Sequence, residues 1–417
     1  MHVASTEVHV VNLDSSLAAS SRFDLSKNTQ KPGLWITLAL FVVGFVFLGL
    51  TVSWSQAVMY IVAGVLGLTL YHARYGFTTA YRNFIVAGRG VGLRAQMLMF
   101  FFANVLFLPV LVHGHMFGHS VSGYVFPVGT SVLAGSFMFG IGMQLGDGCA
   151  SGTLYHTGGG DARGVLTLIG FVIGSLLGTI NFTWWMSTPH FQPVSFIKSF
   201  GPIGGFLFNA LLLAVVFAVT LLVEKRRNGS VESMRLKEPF TAKSILRGPW
   251  SLVAAGIVLA IGNVVILMLS GQPWGVTSAF ALWGAKIAQA FGVPVTHWGY
   301  WQNSGHALSL HQSIFHDVTT VLNIGIMLGA LLAACLAGKF PRPYLRHFPA
   351  RMIVGVLIGG ILMGYGARIA FGCNIGAYFA GIASFSLHGW EWFIGGMLGS
   401  VIGVLIRPVC ALSNKVK

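Results

Sequence analysis

The sequence predicts an all-α polytopic membrane protein: two inverted repeats of transmembrane helices, with short broken or re-entrant helices at the centre. Three observations lead there. First, 55% of the 417 residues are apolar and 8% are Asp, Glu, Lys or Arg, with a mean hydropathy of +0.76. Soluble domains carry about 25% charged residues, so a soluble enzyme, a nucleic-acid binder and a disordered chain are excluded. Second, the basic residues are bunched between apolar runs. Third, a glycine-rich segment occurs twice, in a chain with 55 glycines.

Crossing the hydrocarbon takes about 20 apolar residues. Candidate spans are 33–53, 56–72, 95–113, 164–185, 202–223, 249–270, 317–338 and 390–407. Two further runs, 130–148 and 352–372, end in polar, glycine-rich breaks. The stretch 274–315 is aromatic and apolar, but Lys286, Pro294, His297, Asn303, His306 and His311 interrupt it, so it reads as short or re-entrant helices. The organisation is then a polar cytoplasmic tail over 1–32, without the early apolar core of a signal peptide. A first transmembrane half covers 33–223, a basic cytoplasmic loop 224–248, a second half 249–410 and a cytoplasmic tail 411–417.

The formal net charge is +15, which in a soluble protein would suggest nucleic acid. Here 21 of the 25 basic residues fall in five groups: Arg22–Lys31, Arg74–Arg94, Lys225–Arg247, Lys339–Arg351 and Arg407–Lys417. Under the positive-inside rule such groups mark cytoplasmic faces. The charge records orientation in a lipid bilayer, and no nucleic-acid partner is expected. An even number of crossings separates successive groups when 274–315 begins and ends outside, which puts both termini in the cytoplasm.

The repeat is the strongest signal. Gly135–Gly152 reads GSFMFGIGMQLGDGCASG, and Gly359–Gly376, at an offset of 224, reads GGILMGYGARIAFGCNIG. Six of 18 positions coincide, among them Gly148/Gly372 and Cys149/Cys373. Downstream, Gly174–Gly178 matches Gly399–Gly403 at offset 225. By the crossing count, the helix leading to Cys149 runs inward and that leading to Cys373 runs outward. Inverted repeats with broken helices are the signature of a transporter whose site lies near the midplane. Close helix packing accounts for some of these glycines, but not for a cysteine after the break in both halves. Irregular backbone at this depth survives only where protein or a water-filled cavity surrounds it. A helix restarting after each cysteine would aim its N–H groups at the site, which suits an anion. Ser151, Asn374 and Tyr155 are candidate lining residues. Arg368, five residues before Cys373, is the best candidate for an intramembrane functional charge.

These motifs bring in a family. GDGCASGTLYHTGGG and GARIAFGCNIGAYFAGIASFSLHGW resemble the two glycine–cysteine motifs of the YeeE/YedE family of bacterial inner-membrane proteins, and RYGFTTAYRNFIVAGRG resembles its arginine- and cysteine-bearing motif. The resemblance covers roughly residues 56–410. It implies multi-pass placement in the inner membrane and uptake of thiosulfate, a small sulfur anion, without catalysis. It further implies cysteines that line a central constriction and pass the anion along by S–H···S hydrogen bonds, with a cytosolic TusA-like sulfurtransferase as a candidate partner. Carried over, Cys149 and Cys373, flanked by Gly148 and Gly372, match two relay cysteines. The third falls on Thr78, whose hydroxyl can donate to an oxyanion but lacks a soft sulfur. The SFSLHGW run is closer to YedE, associated with selenium metabolism. This implies an alternative: a protein moving selenium or another sulfur species, or passing the atom to a sulfurtransferase.

Other features are read as bland. Cys335 and Cys410 behave as small apolar residues. No CxxC or CxxCH spacing occurs, so no cofactor is expected and a membrane anchor for a redox enzyme is the weakest reading. His113, His115 and His119 read as rim residues before a metal site. Asp147 and Asp161, flanking the first break, are expected to cap helices, and Trp and Phe are expected mainly at lipid-facing or interfacial positions.

Overall fold

A computed structural model describes residues 30–234, 242–340 and 348–414. The tail 1–29, with Arg22 and Lys27, lies outside the described residues, as do 235–241, 341–347 and 415–417 of the basic groups.

Local chemistry sets the helix starts. Ser53, Asp161, Ser195, Ser251 and Asp317 each accept a hydrogen bond from a backbone N–H two or three residues on, satisfying donors that have no partner within their helices. The helices are α1 (Lys31–Thr51), α2 (Trp54–Ala73), α3 (Phe77–Ala87), α4 (Val91–His113), α5 (Thr130–Leu145), α6 (Ala150–Gly158) and α7 (Ala162–Ile180). After the short α8 (Phe182–Met186) comes α9 (Phe196–Asn228), kinked where Gly201 leaves helical geometry before Pro202. The second half holds α10 (Ala242–Arg247), α11 (Leu252–Ser270), α12 (Thr277–Ala290), α13 (Ser304–His311), α14 (Val318–Leu336) and α15 (Ala350–Ile369). A π-helical turn, Asn374–Phe379, continues as α16 (Ala380–Ala383), and α17 (Leu387–Ile406) follows. Among the described residues, strands are limited to two two-residue pairings.

Among the described residues, nine helical stretches are long and apolar enough to span a bilayer. The expected run 130–148 instead gives α5, 16 residues long, which packs between α15 and α17. The stretch 274–315 is, as expected, a set of short helices. Large apolar side chains such as Trp35, Leu50, Ile203, Leu207 and Leu405 face outward, as in a multi-pass membrane protein whose surface meets lipid. The expectation for aromatic residues holds at this surface but fails at the centre. Trp274, Trp392, Phe77, Phe100, Phe139 and Phe280 are fully buried there.

The central packing uses glycine to bring backbones together. A side chain at Gly135 would meet the Gly366 carbonyl, and one at Gly366 the Gly135 carbonyl; Gly142 and Gly359 block each other in the same way. Gly174 abuts the Ile361 carbonyl and Gly399 the Phe137 carbonyl. Ser400 Oγ donates to the Gly140 carbonyl at 3.3 Å, and Ser175 Oγ to the Gly364 carbonyl at 3.5 Å. Each contact has a counterpart with its members exchanged at the sequence offset of 224 or 225. The α7–α15 and α5–α17 pairs share this seam, while α2 packs on α14 and α4 on α11.

Candidate functional site

Each glycine–cysteine segment ends one helix and starts another. Asp147 and Phe371 occupy equivalent positions with φ of 54° and 59°, a left-handed conformation in which a residue with a Cβ is strained. Gly148 and Gly372 follow, and then the cysteines, both in extended geometry, begin the new helices. The carbonyls of Cys149 and Cys373 accept from Thr153 N and Ala377 N at 2.7 and 2.8 Å, the same bond in both segments.

Both thiols are buried, and they lie within electrostatic reach of one another. Ser151 Oγ sits 3.4 Å from Cys149 Sγ. In the other segment Ile375 N donates to Cys373 Sγ at 3.4 Å. Two asparagines secure the far end of that restarted helix: Asn104 Nδ2 and Asn209 Nδ2 both donate to the Ile382 carbonyl at 2.9 Å. Carbonyls left open at a helix end are thereby satisfied within the protein.

The remaining sequence-predicted residues fall in different places. Asn374 is buried beside Cys373, and neither amide atom of its side chain finds a protein partner. Thr78 is buried near the start of α3, where its carbonyl accepts from Gln144 Nε2 at 3.3 Å. Its hydroxyl bonds to neither thiol and is unpartnered. Arg368 is held by the chain itself: it donates to the Tyr300 hydroxyl and to the Thr277 carbonyl, and lies 5.0 Å over the Tyr300 ring. These bonds tie α15 to the start of α12 and to the segment after it.

Asp147 departs from the capping expectation. It gathers three arginines, Arg82 at 2.6 Å, Arg407 at 3.1 Å and Arg163 at 3.6 Å. Asp161 does cap α7, and it pairs with Arg163 at 2.8 Å. Burial would raise the Asp161 carboxyl, but the adjacent Arg163 charge and hydrogen bonds hold it below the usual carboxylate range. Arg82 and Arg407, read from sequence only as orientation markers, thus form with Arg163 a cationic cluster on Asp147, two residues from Cys149. At the second break the equivalent Phe371 stacks on Phe126, ring centroids 4.7 Å apart, and Phe126 lies 5.1 Å from His388. That break is covered by aromatic rings. Among the described residues no group of three or more His, Cys, Asp or Glu is placed to hold a metal ion.

Sequence reasoning missed Tyr75, Tyr81 and Tyr378, which are buried, Tyr81 within electrostatic reach of Cys149 and Tyr378 on the turn that Cys373 begins. For Tyr81 the available signal was its spacing of three residues from Thr78 on α3.

Long apolar helices that surround two interrupted ones define a polytopic membrane protein. A family model described as "Sulphur transport" matches residues 72–402, and the chain belongs to that family, in which YeeE/YedE proteins fall. It is 34% identical over 158 residues to "Probable transporter YedE" of Escherichia coli (strain K12), 37% of each chain. It is 26% identical over 284 residues to "Thiosulfate transporter TsuA" of Spirochaeta thermophila, covering 64% of this chain and 74% of the relative. To the protein of the same name from Escherichia coli (strain K12) it is 23% identical over 353 residues, 82% and 91% of the two chains. The match to YedE spans little more than a third of that relative's own length.

Proposed function

We propose that this protein imports thiosulfate, or a closely related sulfur anion, across the bacterial inner membrane through a constriction lined by Cys149 and Cys373. One observation carries the reading: two buried thiols lie within electrostatic reach of one another, each at the start of a restarted helix, with Ser151 Oγ beside one sulfur and Ile375 N donating to the other. Thiols and N–H groups donate without formal charge, so they can stabilise an anion without trapping it. The exchanged contacts along the glycine seam support an inverted repeat, while the bunching of basic residues and the apolar runs support both termini in the cytoplasm and boundaries near 33–223 and 249–410. In that orientation the arginine cluster marks the cytoplasmic exit, where a sulfurtransferase of the TusA type could receive the anion. Gly148, Gly372, Ser151 and Asn374 shape the path around the thiols. Thr78 supplies a hydroxyl donor, and Arg368 acts on the path through its grip on the outer segment. The names of the thiosulfate-transporting relatives add to this reading.

The test is uptake of labelled thiosulfate by cells whose growth depends on it. Cys149→Ala and Cys373→Ala variants, present in the membrane at normal levels, are expected to lose most uptake; import at the original rate would sink the relay. A second reading rests on Thr78, which lacks a third soft sulfur, and on the higher identity to YedE over a shorter stretch. In it the substrate is a selenium or other sulfur species. Competition of thiosulfate uptake by sulfate, sulfite, selenite and sulfide separates the two.

A further inference from the structure

Buried polar atoms almost always have a hydrogen-bond partner, and each exception calls for an explanation. A set of such exceptions gathers around the start of α3 and the turn that Cys373 begins. The hydroxyls of Tyr75, Tyr81, Tyr378 and Thr78 and both amide atoms of Asn374 are buried without a protein partner. These residues are at most 2% exposed. Four of them arise from two short helices, and Tyr75 lies just before the first. On α3, Thr78 and Tyr81 are three residues apart and share a face; on the π-helical turn, Asn374 and Tyr378 are four apart and do the same. The two helices meet through rings: Phe77 and Tyr378 have centroids 6.1 Å apart, Tyr81 and Tyr378 6.4 Å. The Tyr81 and Tyr378 hydroxyls are close enough to interact, yet neither makes a hydrogen bond of ordinary geometry. Tyr81 also lies within electrostatic reach of Cys149, and Tyr75 of Tyr378. Packing holds the rings firmly. Tyr378 stacks on Trp392 and Phe393, each at an interplanar angle of 11°. Single π-helical turns are rare and occur often at functional sites.

We propose that Tyr81 and Tyr378, with Tyr75, Thr78 and Asn374, form a donor site for the oxygen atoms of a tetrahedral or pyramidal sulfur oxoanion, beside the thiols that meet its sulfur. The inference rests on the transport reading above and deepens it. Hard donors and soft donors stand side by side, so the site selects an anion carrying both oxygen and a soft sulfur. Thr78 then belongs to the oxygen-binding set and is not a failed member of the thiol set.

The test is thermal unfolding of the purified full chain in detergent, titrated with sodium thiosulfate, sulfite, sulfate, selenite and oxygen-free thiocyanate. The variants are Tyr81→Phe, Tyr378→Phe and the pair together. Phenylalanine keeps the stacking and removes only the hydroxyl. Without anion, each variant should unfold at or above the wild-type temperature, because an unmet donor has been removed. With thiosulfate, each should bind about tenfold more weakly, the loss of one hydrogen bond to a charged group, and the pair should lose the shift altogether. Thiocyanate should act on wild type and variants alike. A thiosulfate shift that survives in the double variant overturns the phenol site and leaves the transport reading standing. A fall in basal unfolding temperature assigns the hydroxyls a structural role and also overturns it. A shift with sulfite but none with thiosulfate keeps the site and overturns the thiosulfate reading; a shift with sulfate as large as that with thiosulfate, or a response to none of the oxoanions, overturns the site.

Discussion

The two glycine–cysteine breaks share a backbone and differ in what surrounds it. Both use a left-handed residue, a glycine and an extended cysteine, and both restart a helix with the same carbonyl-to-N–H bond. At the left-handed position one break carries Asp147 among three arginines, and the other carries Phe371 stacked on Phe126. What is common to the breaks is the geometry that sets a thiol. What differs is the surroundings: charged groups at one break, stacked aromatic rings at the other. Under the proposed transport reading, a path flanked by charge at one break and by rings at the other would have a built-in direction in its electrostatics.

The largest test of this comparison is glycine to alanine at the two breaks. A Cβ at Gly372 would come within 2.8 Å of Ala377 N at a φ of 150°, whereas at Gly148 the nearest atom is 3.4 Å away. Gly372→Ala should therefore cost about 3 kcal/mol, and Gly148→Ala under about 1 kcal/mol. Equal unfolding temperatures for the two variants in detergent would break the asserted asymmetry. Next in size is Asp147→Asn, which leaves Arg82, Arg163 and Arg407 without their shared carboxylate. We expect a loss of about 2 kcal/mol, relieved at high salt; the equivalent Phe371→Leu should show no salt dependence. A salt-insensitive Asp147→Asn would show that the cluster does not depend on charge.

A third comparison is between the thiols. Cys149→Ser and Cys373→Ser keep a donor and remove the sulfur, and each should lower thiosulfate uptake about tenfold while changing stability by less than about 1 kcal/mol. Strongly unequal losses would mean that one sulfur binds and the other only packs. The smallest effect should come from Ser151→Ala. It removes the hydroxyl 3.4 Å from Cys149, a partner that Ile375 cannot supply to Cys373, and uptake should fall no more than about threefold. A larger drop would make Ser151 a direct substrate ligand.

Much of this was legible in the sequence. The breaks, the cysteines and the restarting helices were readable because glycine and cysteine recur at a fixed offset and backbone geometry follows from them directly. The short helices of 274–315 were readable from their polar interruptions. The arginine cluster was not. Arg82, Arg163 and Arg407 are far apart in the chain, and a basic residue near a span end looks the same whether it faces water or Asp147. The tyrosines were missed for a related reason: in an apolar chain an aromatic residue suggests the lipid interface, and only tertiary packing puts Tyr81 and Tyr378 inside. Arg368 was placed correctly as a buried charge, but its partners, Tyr300 and Thr277, lie in the stretch where the sequence pattern was weakest.

The glycine seam bears on how far the two halves can drift apart. Gly135 and Gly366 each form the wall against which the other would grow a side chain, as do Gly142 and Gly359. A methyl gained on either side meets backbone, which cannot step aside as a rotamer can. The two segments differ at the left-handed position before each cysteine, with carboxylate in one and phenyl in the other. At the seam neither could change without the consent of its twin.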